Sequence, residues 1–453
     1  MSKVIRLKKG LDINLIGAAE KVLVNAPLAE TYAVKPTDFE GVTPKLLVKI
    51  DDEVKAGTPL FFDKYHPEVL FTSPVSGKVT AVNRGEKRKI LEVVVTPDET
   101  RSYEEFEVGK IEALSAEKAI ELMLSAGLWP MMIQRPYGII ANPADKPRAI
   151  FVSGFDSAPL APDVDFLLQN MDEEFLAGME VLKKLSGGKV HLGLSDSSHF
   201  KGFSKLSGVD VNTFIGPHPA GNVGIQIHHV APINKGEVVW TIDIQNLIIL
   251  GRFFKTGKLD MTKIIALTGS EIEKPKYYRV IAGAQISSIV NGFIKKQEEG
   301  YSVRIISGNV LTGKKVAIDN YLGFYNNQIT VIPEGDHYEF FGWIAPRCDK
   351  FSVSHSYFSW LTPHKKYRLD TNLHGGVRAY VMTGQYEKVL PMDIYPVYLI
   401  KAILAGDIDK MENLGIYEVI EEDFALCEFV CTSKVEVQKI IRDGINQMIK
   451  ELN

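Results

Sequence analysis

Apolar positions change their spacing several times along this chain. Through the first hundred residues, Val, Ile and Thr recur in short runs broken by Gly and Pro, which predicts strands. Gly57, in Asp52-Glu-Val-Lys-Ala-Gly57, and Gly77, in Ser73-Pro-Val-Ser-Gly77, stand where turns would reverse the chain. The pattern predicts a small barrel-sandwich of the biotinyl/lipoyl-like kind over 1–103. In such carriers a lysine at a hairpin tip takes a prosthetic group, and Lys64 lies between the two stretches. Its separation from Pro74 is longer than a lipoyl hairpin has, so Lys64 reads as a surface lysine.

Over 104–258 the spacing alternates between strand and helix periods. An amphipathic helix is predicted at 116–125, with Ser115 as its N-cap and Glu117 in its first turn. A buried strand follows at 148–153. The run 165–185 places Leu168, Met171, Phe175, Met179, Leu182 and Leu185 at helical spacing, and Gly187-Gly188 end it. Further strands are predicted at 189–194, 209–215 and 263–267, and the apolar run 238–254 reads as a helix between the last two. Such alternation predicts a Rossmann-like α/β domain with a doubly wound, largely parallel sheet. The stretch 259–335 turns strand-rich, with one short helix near 286–292, and fits a β-grasp module. From 336 to 453 the chain is first irregular and aromatic-rich, then helical from about 393, ending in a helix at 435–452. The fold class is therefore α/β multidomain.

Composition narrows the function. The chain has 453 residues and a formal net charge of −4, which argues against a nucleic-acid binder. It has three cysteines, Cys348, Cys427 and Cys431, too few for a disulfide scaffold or for a four-cysteine iron–sulfur cluster. The start of the chain is basic but lacks the apolar run of a signal peptide. No stretch reaches the roughly 18 apolar residues of a membrane helix. A protein of the cytoplasm, or of the cytoplasmic side of a membrane, is expected.

Most motifs fail a chemical test. Gly308-Asn-Val-Leu-Thr-Gly313-Lys314-Lys315 nearly matches a P-loop, but Lys315 replaces the Ser or Thr that would hold magnesium, and a strand is predicted next. No Gly-x-Gly-x-x-Gly fingerprint follows a strand. His228-His229, read on a strand, would face opposite ways, and Cys348 lacks a partner at zinc spacing. Ser195-Asp-Ser-Ser-His199 reads as a polar loop, and Glu173-Glu174 as a solvated helix face. Gly216-Pro-His218-Pro-Ala-Gly221-Asn222-Val-Gly224 is a stronger candidate. It follows a predicted strand at the edge where such sheets bind ligands, and His218 and Asn222 could donate hydrogen bonds there. A rigid proline-containing turn explains it equally well. Cys427-Glu-Phe-Val-Cys431 has the spacing of the last two ligands of a ferredoxin run, but Glu421 and Phe424 occupy the first two positions.

Taken in order, Lys9-Gly-Leu-Asp12, Phe71-Thr-Ser-Pro-Val-Ser-Gly-Lys-Val79, Asn83-Arg-Gly-Glu-Lys-Arg88, Ala126-Gly-Leu-Trp129, Arg135-Pro136, Ile150-Phe-Val-Ser-Gly-Phe-Asp-Ser-Ala-Pro-Leu-Ala161, 216–224, Ile306-Ser-Gly-Asn-Val-Leu-Thr-Gly313, Phe341-Gly-Trp343 and Leu426-Cys-Glu-Phe-Val-Cys431 resemble one family along essentially the whole chain. That family is the A subunit of the bacterial sodium-translocating NADH:quinone oxidoreductases, related to the peripheral subunit of the Rnf complex and the flavoprotein subunit of complex I. The resemblance implies an SLBB-like β-grasp module and a C-terminal helical region. It implies a peripheral subunit of a six-subunit translocase that couples quinone reduction to sodium export. The chain would lie on the cytoplasmic face of the bacterial inner membrane, docked on a membrane subunit, without a transmembrane segment of its own.

In the related subunits a glycine-rich loop for flavin and dinucleotide follows the first helix of the α/β domain. Here the corresponding stretch, 127–138, offers Trp129, Met131, Met132 and Ile133 instead of a free backbone cradle. The resemblance thus implies no cofactor on this chain, with FMN, FAD and Fe–S on partner subunits and quinone as substrate of the complex. An apolar, aromatic loop with a few donors suits a quinone: Trp129 and Tyr137 to stack, Met131 and Met132 to pack the tail, Arg135, His218 and Asn222 to donate. The same loop would also suit packing against a membrane subunit. The expected function is therefore a pump subunit that contributes to quinone binding. The alternatives are a non-catalytic docking scaffold and an Rnf-like electron-transfer subunit holding flavin or a cluster.

Overall fold

The computed structural model describes residues 3–452 except 188, 298–299, 337–338, 343–346 and 348–349. Cys348, Trp343 and the second glycine of Gly187-Gly188 lie outside the described residues.

Five parallel strands, in the order Lys3–Arg6, Asp210–Ile215, Lys189–Ser195, Ala149–Ser153 and Val239–Ile242, form the centre of a seven-stranded sheet. Ile133–Arg135 and Ile139–Ile140 extend it as an antiparallel edge. The sheet is covered because its strands are apolar on both faces: Ile150, Phe151 and Val152 are all buried. On one face, Asp172–Ser186 and Ile244–Thr256 cross at glycine. A Cβ on Gly251 would lie 1.8 Å from the Glu174 carbonyl oxygen, and one on Gly178 would lie 2.6 Å from that of Leu247. The other face is covered by Val223–Val230, whose Ile227 packs with Phe151 and Val239.

Two small sheets make up the N-terminal sandwich. One runs Tyr32–Val34, Ile90–Pro97, Gly77–Arg84, Glu53–Val54; the other runs Pro44–Leu46, Pro59–Asp63, Leu70–Thr72. Phe61 stacks on Phe71 at 4.6 Å, and Phe39 bridges from Phe71 (4.6 Å) to Phe324 (5.0 Å) of the third domain. Lys64 is exposed on the loop after Pro59–Asp63, its ammonium 5.2 Å from the Tyr65 ring. A six-stranded sheet, ordered Lys314–Val316, Val303–Ser307, Gln328–Pro333, Thr262–Thr268, Lys276–Ile281 and Glu20–Asn25, forms the third unit. The first 25 residues thus lend one strand to each of the two larger sheets. A separate core, including Val397, Ile400, Met411, Phe424, Ile441 and Ile445, sits in the C-terminal helices Pro396–Leu404, Ile408–Asn413, Ala425–Phe429 and Val437–Leu452. Among the described residues no helix is long and apolar enough to cross a membrane.

The helix Ala116–Ser125 starts where expected, with the Ser115 hydroxyl accepting from the Lys118 amide at 3.2 Å. The strand expected after the lysines, at 316–319, lies earlier: Lys314–Val316 is the strand and 318–319 is a turn. Four further expectations change. The run 165–185 is two helices, Val164–Leu167 and Asp172–Ser186, because Asn170 between them takes a left-handed conformation (φ 63°) that Asn tolerates. The run 238–254 begins as the strand Val239–Ile242. Asp243 ends that strand and caps Ile244–Thr256 by accepting from the Gln245 and Asn246 amides at 2.9 and 3.4 Å. Thr262–Thr268 joins the six-stranded sheet and not the parallel one. His228 and His229 lie on the helix Val223–Val230, not on a strand.

The glycine crossing predicts that Gly251→Ala destabilises the chain by about 2 kcal/mol, the usual cost of forcing extra atoms into a packed contact. Urea denaturation checks this; an unchanged midpoint would show that the helices can separate freely.

Candidate functional site

The loop 216–224 leaves the strand Asp210–Ile215 at the carboxyl edge of the parallel sheet. Gly216 (φ 149°) lets it pass Leu7, whose carbonyl oxygen would be 2.6 Å from an added Cβ. His218 is buried, its backbone amide donating to Asp12 Oδ1 at 2.9 Å. Its Nδ1 lies 3.0 Å from the Ser157 hydroxyl, which accepts from the Gly221 amide at 2.8 Å. That arrangement suits a hydroxyl donating to a neutral ring, and burial pushes the His218 pKa down to about 4. His218 therefore ties loop to loop as a neutral group at pH 7. Asn222 sits just before the helix Val223–Val230 and reaches the Glu422 carbonyl oxygen at 3.4 Å.

Beside this loop, Arg135 ends the strand Ile133–Arg135, second from the edge of the sheet, and is 2% exposed. Its guanidinium donates to Asp423 Oδ2 at 2.9 Å and to Glu422 Oε1 at 2.7 Å. Asp423 Oδ2 also accepts from the Ile420 amide at 2.9 Å. A Cβ on Gly224 would lie 2.4 Å from Asp423 Oδ1, so the carboxylate rests against the first turn of Val223–Val230. Arg442 pairs with Glu421 and donates to the Tyr137 carbonyl oxygen at 2.8 Å. Two arginines and three consecutive acids thus clamp the C-terminal helices to the edge of the parallel sheet. Burial, outweighing the pull of Arg135 and helped by Asp423 and Glu421, raises the Glu422 pKa above its ordinary value.

The stretch 127–138 divides. Trp129, Met131 and Met132 are almost fully buried, not displayed on an exposed loop. Trp129 donates to the Ala141 carbonyl oxygen at 2.7 Å and meets Trp240 edge-on at 5.3 Å. Gly127 (φ 71°) presses on Thr72 of the sandwich, whose hydroxyl donates to the Ala126 carbonyl oxygen at 3.1 Å. These apolar residues form a wedge between the sandwich and the parallel sheet. Tyr137 (φ 85°) alone turns outward, half-buried, 6.3 Å from Tyr417. Tyr417 lines a cleft of about 410 Å³ with Ile233, Lys235, Tyr395, Glu412 and Glu418. Lys235 pairs with Glu412 at 2.8 Å, and His228 Nδ1 lies 2.7 Å from Glu418.

The structure therefore brings Arg135, Tyr137, His218 and Asn222 to one side of the sheet and puts Trp129 and Met131 in the core. Sequence reading missed Glu422, Asp423 and Tyr417. The acidic triplet 421–423 was visible, but its partner Arg135 is 287–288 residues away, beyond any spacing rule. Cys427 and Cys431 are buried, and burial pushes the Cys427 thiol well above its ordinary range. Cys431 Sγ accepts from the Val435 amide at 3.4 Å. At the two other places of the ferredoxin run, Glu421 is an ion-pair partner and Phe424 is core. Among the described residues no three His, Cys, Asp or Glu side chains could hold a metal.

Three family models match: the NqrA N-terminal barrel-sandwich hybrid domain over 5–98, the NqrA second alpha/beta domain over 114–259 and the NQRA C-terminal domain over 264–317. The A subunit of the Na(+)-translocating NADH-quinone reductase of Serratia proteamaculans is 38% identical over 99% of this chain and all of its own length. The protein of that name from Yersinia pestis matches equally, and that of Rhodopirellula baltica is 37% identical over 99% of this chain and 98% of its own. A solved NAD+-reducing [NiFe]-hydrogenase aligns over 76% of this chain and 63% of its own, at 12% identity and a TM-score of 0.39.

The clamp carries two expected outcomes. Arg135→Met leaves buried carboxylates without their counter-ion and costs about 3 kcal/mol, and adding Asp423→Asn recovers part of that loss. Urea unfolding of the single and double variants tests it; equal losses would remove the clamp. For Glu422 the folded pKa lies above the ordinary value of 4.5. Its contribution is then full below that value and is lost as pH rises through the raised pKa. Glu422→Gln should therefore gain stability relative to the parent between pH 5 and pH 8; a pH-independent difference would contradict the burial.

Proposed function

This chain belongs to the A-subunit family of the Na(+)-translocating NADH-quinone reductases, and from that membership we propose that it is the peripheral subunit of such a sodium-pumping complex. The observation that supports this most is 38% identity spread over 99% of this chain and the full length of the relative. The enzymatic activity, NADH-to-quinone electron transfer coupled to sodium export, belongs to the assembled complex. In this reading the seven-stranded sheet is a Rossmann-like domain and the six-stranded sheet an SLBB-like β-grasp. The chain lies on the cytoplasmic face of the inner membrane, docked on a membrane subunit. The domains divide near 103, 258 and 335.

The redox groups FMN, FAD and Fe–S are assigned to partner subunits. Two packing features support a cofactor-free chain. The stretch 127–138 spends its apolar side chains on the interdomain core, and the loop at the sheet's carboxyl edge is closed by its own contacts. At Gly221 an added Cβ would lie 2.6 Å from the Ser157 amide nitrogen. A phosphate needs free amides and open space, and this edge spends both on itself.

A quinone role is placed beside Tyr137 and Tyr417. The cleft there is within the usual size of a ligand pocket and combines aromatic rings with the Lys235 ammonium as donor. Arg135, His218 and Asn222 act on this reading by holding the surrounding loops, since their polar atoms are engaged within the chain.

Membranes lacking this chain should lose sodium-dependent NADH:quinone reductase activity, and the intact chain should restore it. Tyr137→Ala/Tyr417→Ala should restore assembly but raise the KM for quinone several-fold. Full activity without the chain would overturn its place in the complex; an unchanged KM would confine the chain to docking.

A further inference from the structure

Among the described residues, 340–342 and 350–388 form a long stretch that neither enters a sheet nor forms the C-terminal bundle. Regular structure among them is limited to the turn Phe358–Leu361 and the start of Tyr386–Val389. It is nonetheless pinned to the folded body. The Tyr367 amide donates to Asn14 at 2.8 Å, and its carbonyl oxygen accepts from Ile16 at 3.0 Å. The Arg378 amide donates to the Ser433 carbonyl oxygen at 2.9 Å, and the Ser433 hydroxyl returns a bond to Ala379 at 3.0 Å. Ser352 and Ser359 bond each other across the turn at 3.1 Å.

What this pinned segment shows to solvent is apolar and basic. Phe340 is 91% exposed, Phe358 50%, Trp360 52%, Leu361 60% and Val377 76%. The parts adjoin: the Tyr357 hydroxyl donates to the Gly342 carbonyl oxygen at 2.6 Å, and His374 feels the charges of Glu339, Lys350 and Lys434. Residues 350–388 hold six Lys or Arg against two Asp or Glu, in a chain whose net charge is −4. Lys350 is buried against Glu339 and Arg368 pairs with Glu271, which leaves Lys365, Lys366, Arg378 and Lys388 at the surface. Lys366 and Arg378 are exposed among the apolar tips. A protein core would reject the charges, and bulk water would reject the rings. A headgroup layer accepts both, because aromatic and aliphatic tips settle at the acyl boundary while cations face anionic phosphates.

The geometry points to the described residues 340–342 and 350–388 as the surface by which this chain lies on an anionic lipid bilayer. The occupant is lipid, chosen over a protein partner by the reversal of charge relative to the rest of the chain. The inference rests on the peripheral membrane reading above and names the face that reading leaves unassigned.

The test is co-sedimentation of the full chain with vesicles of phosphatidylglycerol and phosphatidylcholine, against phosphatidylcholine alone. Each cation near an anionic surface strengthens binding roughly five-fold. The parent chain should partition onto the anionic vesicles and be released by high salt. Lys366→Glu/Arg378→Glu and Phe358→Ala/Trp360→Ala should each weaken binding at least about ten-fold, with unchanged thermal melting because all four side chains are exposed. No binding to anionic vesicles, or equal binding by parent and variants, would overturn the lipid surface. Variants that bind vesicles normally but fail to assemble with the membrane subunits would overturn it in favour of a protein contact. Reductase activity in reconstituted membranes is read separately, so a failed lipid surface leaves the chain's place in the complex standing, and the reverse.

Discussion

Arg135 and the two carboxylates it holds are the constraint on which the site depends. A guanidinium that is 2% exposed is tolerable only if its charge is met at short range, and Glu422 and Asp423 meet it from the far end of the chain. Once that pairing forms, the acidic turn 421–424 must lie on the strand Ile133–Arg135 and against Gly224. The helix Ala425–Phe429 follows behind it, and Arg442 closes over Tyr137. The carboxyl edge of the parallel sheet is thereby roofed by the chain's own bundle.

The second constraint is the wedge 129–132. Trp129 and the two methionines fill the space between sandwich and sheet, and the Tyr325 hydroxyl adds a bond to the Pro130 carbonyl oxygen at 2.6 Å from the third domain. Three domains share one continuous core around this wedge. The same packing accounts for why the stretch 129–132 is bulky and apolar.

Local signals were legible in the sequence where local physics decides the structure. Ser115 begins its helix because a hydroxyl at that position satisfies an orphan amide, and this needs no distant partner. Gly187 ends its helix with φ 51° for the same kind of reason. The strand Val239–Ile242 was hidden because a fully buried parallel strand and a buried helix are equally apolar; only Asp243, the cap of the following helix, marks the change. Pairing of Lys3–Arg6 with Asp210–Ile215, and of Arg135 with Asp423, joins residues some two to three hundred positions apart. Periodicity holds no information at that range. The apolar loop was recognised as unusual, but its burial depended on neighbours that the sequence alone does not place.

The carboxyl edge of the parallel sheet, where such sheets commonly bind ligands, is occupied by the chain's own loops and helices. The most direct measurement is the visible absorption spectrum of the full chain purified from cells that also make its partner subunits. A closed edge predicts no flavin or iron–sulfur bands in the purified chain, with those bands present in the intact complex. Stoichiometric flavin or iron–sulfur absorption in the chain itself would contradict it.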